Sequence, residues 1–308
     1  MAKVSVVITV LNEEIVIGKL LKSLFVQKRI PDEIVIIDAG SVDKTVQIVR
    51  TFQKQYKLLR LLVVPGVNRS EGRNIGIERA QGPIIAVTDA GCIPKKDWLK
   101  KLITPFKDRS VDVVSGYYLP QGDSIIQKCL ATYTCVLPYR LNVTTFLPAS
   151  RSLAFRKSIW KKVNGFPKHL DTCEDRMFVQ RLMKRDAKFV MAKDAIVYWR
   201  QHHTLSRAFK QLYTYAKGDG QARYFPHLKK AALVWIRYLV SIWLFFVFPV
   251  ILFFLIPQYL AWVIGKGYPF VKDKRAVILL PLLQIIADFA VMAGSLTGLV
   301  YSLRSYKR

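Results

Sequence analysis

Four carboxylate positions stand where strands end or helices begin. Asp38 closes the apolar run Glu33 to Ile37, in EIVIIDAGS. Asp89 follows the run Ile84 to Thr88, in PIIAVTDAG, with Arg69 and Arg73 a short way upstream. Glu174 and Asp175 precede Met177, Phe178, Leu182 and Met183, which recur at helical spacing. A carboxylate at the carboxyl end of a buried strand can hold a divalent cation, and neighbouring arginines can hold phosphate. A carboxylate at a helix N-terminus is stabilised by the helix dipole, and it can also serve as a general base. Asp38 can accept a hydrogen bond from a base or a ribose. The plainer reading of each residue is a cap or a turn, so the chemistry depends on what brings them together.

The elements needed to do so are legible. Val4 to Val10 is nearly all apolar and reads as a central parallel strand. It ends in Leu-Asn-Glu13-Glu14, where acidic residues favour a helix start. Ile15, Ile17, Leu20, Leu21 and Leu24 then recur at helical spacing. Further strands are expected at Leu58 to Val64, Val111 to Tyr118 and Ser150 to Phe155. Asp43 reads as the cap of the helix after the second strand. Ser70 reads as the cap of the helix that Gln81-Gly82-Pro83 stops. This strand–helix alternation predicts a mostly parallel, doubly wound α/β sheet with helices on both faces. The carboxyl edge of such a sheet binds ligands. The first strand-to-helix turn is TVLNEE rather than GxGxxG. Two glutamates there would repel a pyrophosphate, which argues against a nicotinamide enzyme.

Composition divides the 308-residue chain. The net charge is +27, of which residues 231–308 carry +6 and residues 1–230 carry +21. We therefore expect a basic α/β domain over 1–230 and a membrane segment over 231–308. No charge occurs over 238–265, and Asp288 is the sole charged residue over 276–303. Each run exceeds the ~20 residues a spanning helix needs. Two crossings follow, or three if Pro249 splits the first run. Gly294 and Gly298 form a GxxxG that allows close helix contact. The sequence enters its first strand without a readable signal peptide. Cys92, Cys129, Cys135 and Cys173 lack metal-ligand spacing and read as reduced thiols. The basic domain is thus expected on the cytoplasmic side of a multi-pass cell-membrane protein.

Residues 197–223 interleave basic and aromatic side chains, among them Trp199, Arg200, Arg207, Gln211 and Tyr215. Three readings stay open for this segment: a nucleic-acid surface, a membrane-interface helix or the cover of an acceptor site. The adjacent His202 and His203 point in different directions on a regular element and read as surface residues rather than metal ligands.

Five stretches in order, VSVVITVLNEE, EIVIIDAGSVDKT, GRNIGIERAQGPIIAVTDAGC, SRSLAFRKSIWKKVNGF and CEDRMF, resemble the inverting glycosyltransferases of family 2, which have the GT-A fold. The resemblance covers residues 3–225. It implies a UDP- or GDP-sugar donor, with Thr9, Val10, Glu13 and Asp38 at the base and ribose and Arg73 near the nucleotide. Asp89 matches the first Asp of the DxD motif and would coordinate Mg²⁺ or Mn²⁺. Glu174-Asp175 matches the ED motif, with Asp175 as base. Two departures stand out. Gly91 occupies the place of the second DxD carboxylate, and the QxxRW motif of processive synthases is absent. Gln211 to Tyr215 takes its place, which puts Arg200, Gln211 and Tyr215 on the acceptor or diphosphate side. The expected function is transfer of a single sugar to a lipid-linked or polyprenyl-phosphate acceptor in cell-envelope glycan synthesis, with a homo-oligomer left open and no nucleic-acid partner. A membrane polysaccharide synthase is the alternative. A basic non-enzymatic protein binding nucleic acid or anionic lipid is the other; it explains the charge but not the placed carboxylates.

Overall fold

The computed structural model describes residues 2–305. The described residues divide into two compact units, residues 2–119 with 141–200, and residues 120–140 with 201–305.

The first unit is built on an eight-stranded sheet. In chain order its elements are β1 (Val4–Val10), α1 (Ile17–Phe25), β2 (Glu33–Asp38), α2 (Thr45–Gln55), β3 (Leu59–Val63), α3 (Arg69–Arg79) and β4 (Ile84–Val87). After these come β5 (Cys92–Pro94), α4 (Trp98–Ile103) and β6 (Val113–Gln121), whose last two residues belong to the second unit. Next are α5 (Ile125–Thr134) of the second unit, then β7 (Leu153–Arg156), α6 (Lys157–Lys162), α7 (Glu174–Met183) and β8 (Phe189–Arg200) of the first. The strand order is β3-β2-β1-β4-β7-β6-β8-β5. β3, β2, β1 and β4 are parallel, which is the doubly wound half that the sequence predicts. Beyond β4 the sheet is mixed: β7 runs antiparallel to both β4 and β6, and β5 antiparallel to β8. "Mostly parallel" therefore describes half of the sheet. β8 is a strand that the sequence did not reveal; its first half, Phe189 to Asp194, is apolar and then charged, and is only part-buried or exposed, so it lacks the signature of a buried strand.

Both faces of the parallel half are covered. Val7, Val35, Ile37 and Val87 join a core with Ile77, Phe155, Phe166 and Phe178. The alternate residues Val6, Ile8, Ile34 and Ile36 are equally buried on the opposite face. α3 lies unusually close to β1 and β2. A Cβ built on Gly72 would stand 2.9 Å from Thr9 Cγ2, and one on Gly76 2.6 Å from Val7 Cγ1. Only glycine permits that approach, and it sets the depth at which α3 carries Arg73.

The cap of α3 is Asn68, not Ser70. The Asn68 side chain accepts from Glu71 N–H at 3.0 Å, and the Glu71 carboxylate accepts from Asn68 N–H at 3.0 Å. This reciprocal box satisfies two N-terminal donors, and Ser70 lies buried in the first turn. Asp43 does accept from Thr45 N–H, while Lys44 occupies the cap position of α2.

The second unit continues with α8 (Leu205–Gln221), α9 (Phe225–Val247), α10 (Pro249–Val271) and α11 (Ala276–Ser305). Among the described residues, α9, α10 and α11 are the helices long and apolar enough to cross a membrane. Pro249 does split the first apolar run, because it has no N–H to continue α9. Gly294 and Gly298 of α11 receive the backbone of α8. Their Cβ atoms would meet Tyr213 O at 2.4 Å and Lys217 O at 2.1 Å.

Candidate active site

The parallel register places β1, β2 and β4 with their carboxyl ends at one edge. Arg73 is the residue that turns this edge into a site. It leaves α3 on its second turn, and its side chain is 3% exposed. One guanidinium nitrogen donates to Asp89 Oδ1 at 2.7 Å, at the end of β4. Another pairs with Glu174 Oε1 at the start of α7. The guanidinium also stands over the Phe166 ring, 5.5 Å from its centroid. Burial alone would lower its pKa. Glu174 and Asp89 outweigh burial and raise it, so the positive charge is permanent.

The loop that carries α7 is fixed from α3 as well. Asn74 donates from Nδ2 to Phe166 O at 2.8 Å, and its Oδ1 accepts from Phe166 N–H at 2.9 Å and from Trp160 Nε1 at 3.1 Å. Arg69 N–H donates to the Asp171 carboxylate at 3.1 Å, and its guanidinium to Asp171 O at 3.0 Å. Residues a hundred positions apart are thereby locked in one cluster.

The two carboxylates of α7 differ. Glu174 is 5% exposed and committed to Arg73. Burial pushes its pKa up, against the pull of Arg73. Asp175 is half-buried; it accepts from Ser150 N–H at 3.3 Å and from Arg176 N–H at 2.8 Å. Asp89 is 31% exposed. Burial raises its pKa, but Arg73, Arg151 and Arg69 outweigh it and hold the carboxyl below the ordinary range. It is ionised at neutral pH and can present an oxygen to a hard cation. Gly91, two residues on, has open space where a side chain would stand. Among the described residues no three His, Cys, Asp or Glu side chains converge as a metal cage. The carboxylate oxygens of Asp89 fit a hard divalent ion such as Mg²⁺ or Mn²⁺.

Glu13 belongs to the same field. Burial, and then Asp89, raise its carboxyl from the ordinary 4.5 to about 7, with Arg69 opposing. Its backbone carbonyl accepts from Val16 and Ile17 N–H at the start of α1. Asp38 is fully buried, and its carboxylate accepts from the Gly40 and Ser41 N–H groups and the Ser41 hydroxyl. It builds the turn after β2. Thr9 packs against α3 at Gly72, and Val10, 3% exposed, gives its carbonyl to Ala39 N–H. Arg200, at the end of β8, donates its backbone N–H to Gly91 O at 3.4 Å. Gln211 and Tyr215 lie in the second unit on α8, joined by a 3.1 Å hydrogen bond one turn apart.

Arg151 is the residue that the sequence reading missed. It stacks 3.7 Å from the Trp199 centroid and 5.0 Å from that of Tyr118, and its carbonyl accepts from the Thr88 hydroxyl beside Asp89. Its only signal was its place in SRSLAF, ahead of a strand that pairs with β4. Nothing in the local sequence says that this strand neighbours Asp89.

Residues 5–142 match the family model described as Glycosyl transferase family 2. Glycosyltransferase AglE of Haloferax volcanii is 28% identical over 199 residues, which cover 63% of this chain and 65% of AglE. The O-antigen chain rhamnosyltransferase RfbN of Salmonella typhimurium is 22% identical over 228 residues, covering 68% of this chain and 70% of RfbN. The chain thus spans about two thirds of the length of these relatives. In fold, it is similar to the mannosyltransferase PcManGT from Pyrobaculum calidifontis, solved in complex with GDP-Man and Mn²⁺. That similarity has a TM-score of 0.68 at 16% identity, over 97% of this chain and 87% of that one. Over residues 5–142 the chain is thus similar to the glycosyl transferase family 2 domain, and its fold is GT-A-like.

Proposed function

We propose that the protein moves one sugar from a UDP- or GDP-sugar to a lipid-linked or polyprenyl-phosphate acceptor at a membrane, with inversion at the anomeric carbon. The observation that carries this reading is the Arg73 bridge, which joins the β4 carboxylate to the α7 carboxylate pair. A donor diphosphate and an acceptor hydroxyl need these two functions side by side.

Asp89 is the residue to hold a Mg²⁺ or Mn²⁺ ion, and a bound divalent ion would offset charge on the departing nucleoside diphosphate. Arg69, more exposed than Arg73, supplies positive charge toward the diphosphate. Asp175 takes the proton from the acceptor hydroxyl as its oxygen attacks the anomeric carbon, and the carbon–diphosphate bond breaks on the opposite face. Glu174 positions: it fixes Arg73 and the start of α7, and its burial leaves the base role to Asp175. The Ser150 N–H that Asp175 accepts holds its carboxylate in place. Arg200, Gln211 and Tyr215 are assigned to the acceptor or diphosphate side. The glycan-chain relative and the three long apolar helices support a lipid-bound acceptor and a place in envelope glycan synthesis. The absence of QxxRW supports a single addition.

The test is a screen of UDP- and GDP-sugars with the full chain in detergent, with Mn²⁺ or with chelator. Metal-dependent release of nucleoside diphosphate from one donor is expected. Addition of lipid extract should then yield a product one sugar longer, with inverted anomeric configuration by NMR. No release from any donor, or a ladder of lengths, would overturn the reading.

A further inference from the structure

The helices α9 and α10 meet at a single residue. Phe248 has φ −138° and ψ 60°, its N–H donates to Leu244 O at 2.8 Å, and Ile251 N–H donates to Phe248 O at 3.0 Å. Pro249 has no N–H to satisfy. The reversal is therefore made at one residue, with no intervening loop. The two arms run back beside each other. Arg237 and Tyr259 each stand eleven residues from Phe248, and the Arg237 guanidinium lies 4.9 Å from the Tyr259 ring centroid.

The chemistry of this hairpin is graded from stem to tip. Leu244 to Pro257 is LFFVFPVILFFLIP, with no polar side chain. Its aromatic and aliphatic groups point outward: Phe246 is 78% exposed and Phe253 75%. Apart from Ser241 and Trp243, whose ring packs on Phe248, polar and interface-seeking groups gather at the stem, namely Trp235, Arg237, Tyr238, Tyr259, Trp262 and Lys266. Arg237 is tied to Asp288 of α11, which also accepts from Gln284 at 2.9 Å.

We infer that α9 and α10 form a re-entrant hairpin that enters a single leaflet and returns, with Phe248 near the bilayer midplane, rather than a pair of membrane crossings. Eleven helical residues from Arg237 to the turn rise ~16 Å. Half of a ~30 Å hydrocarbon core is about the same length. Arg237, Trp235, Tyr238, Tyr259 and Trp262 then sit at the headgroups, where such residues are favoured. A crossing has the opposite consequence. It would put the wholly apolar turn into the far headgroups and water, where each large side chain loses its burial in hydrocarbon. It would also draw the Arg237–Asp288 pair toward the midplane, where charge is costly. The occupant of the exposed faces is therefore the acyl region of one leaflet.

The test uses Phe246→Cys and Phe253→Cys, two side chains that pack little in the protein, with Lys272→Cys marking the stem. Sealed vesicles of both orientations are treated with a membrane-impermeant maleimide, and wild type gives the background from native thiols. Expected is labelling of Lys272→Cys from one face. The tip thiols should stay unlabelled from either face and react fully in SDS. The tip variants are also labelled with NBD in detergent and reconstituted with lipids brominated at different depths. Quenching strongest for bromine near the chain ends is expected. Tip labelling from the face opposite Lys272→Cys would mean a crossing. Labelling from the same face would mean a hairpin in water. Protection without quenching would mean that a protein partner covers the tip. Each of these three results overturns the inference.

Discussion

Replacing Arg73 with Met removes the charge that two carboxylates share and keeps most of the side-chain volume. Glu174 is the partner that suffers. It is 5% exposed and has no route to water, whereas Asp89 is 31% exposed and can be hydrated. Breaking one side of a buried ion pair costs about 3–5 kcal/mol, because it leaves the other charge uncompensated. Much of that cost lies with Glu174 here. The pH dependence follows. Without Arg73, burial raises the Glu174 pKa in the folded protein further above its unfolded value. A raised pKa contributes stability below the unfolded value and loses it as pH rises through the folded one. Arg73→Met is therefore least damaging near pH 5 and most damaging at pH 8. Adding Glu174→Gln removes the stranded charge and should recover part of the loss, with a coupling of about 1–3 kcal/mol in the double-mutant cycle. The assay is urea unfolding of the full chain in detergent, read by tryptophan fluorescence at both pH values. A cost below about 1 kcal/mol at pH 8, or a double variant no more stable than Arg73→Met, would refute the reasoning.

Asp89→Ala is expected to abolish metal-dependent donor binding while the domain stays folded, at a lower melting temperature because Arg73 keeps only Glu174 as a partner; calorimetric titration of the donor with Mn²⁺ and with chelator checks it, and equal affinities in both would count against Asp89 as the ligand. Asp175→Asn should lower the transfer rate by roughly 10²–10⁴ with little change in donor affinity. Single-turnover kinetics measure this, and retained transfer alongside loss in Glu174→Gln would move the base to Glu174. Glu13→Gln should leave stability near pH 4.5 unchanged. It should raise stability at pH 8 by up to about 3 kcal/mol, since a carboxyl held up at about 7 loses folded-state protonation as pH rises. Parallel urea curves at the two pH values decide it, and no gain at pH 8 would remove Glu13 from the cluster.

The sequence alone determined the parallel half of the sheet and the places of its carboxylates. β1, β2 and β4 are buried on both faces, so their composition is continuously apolar and their ends are marked. Asp38, Asp89 and Glu174-Asp175 were legible for the same reason, as polar residues stopping or starting apolar periodicity. The interruption at Pro249 was legible too, because the missing N–H is a property of the residue itself. Tertiary structure decided what no local pattern contains. β8 is half-exposed, so its alternation does not separate it from loop. The antiparallel insertion of β7 beside β4 brings Arg151 to Asp89. Both Asn68 and Ser70 are good capping residues, and it is Asn68 that closes the box with Glu71 and is tied to Lys168 O by its side-chain amide at 2.6 Å. Above all, Arg73 reads in sequence as a basic residue near a nucleotide. Its two partners lie 16 and 101 residues away. A charge this deep is tolerable only because the fold supplies two carboxylates at once, and that balance exists only when β4, α3 and α7 are packed together.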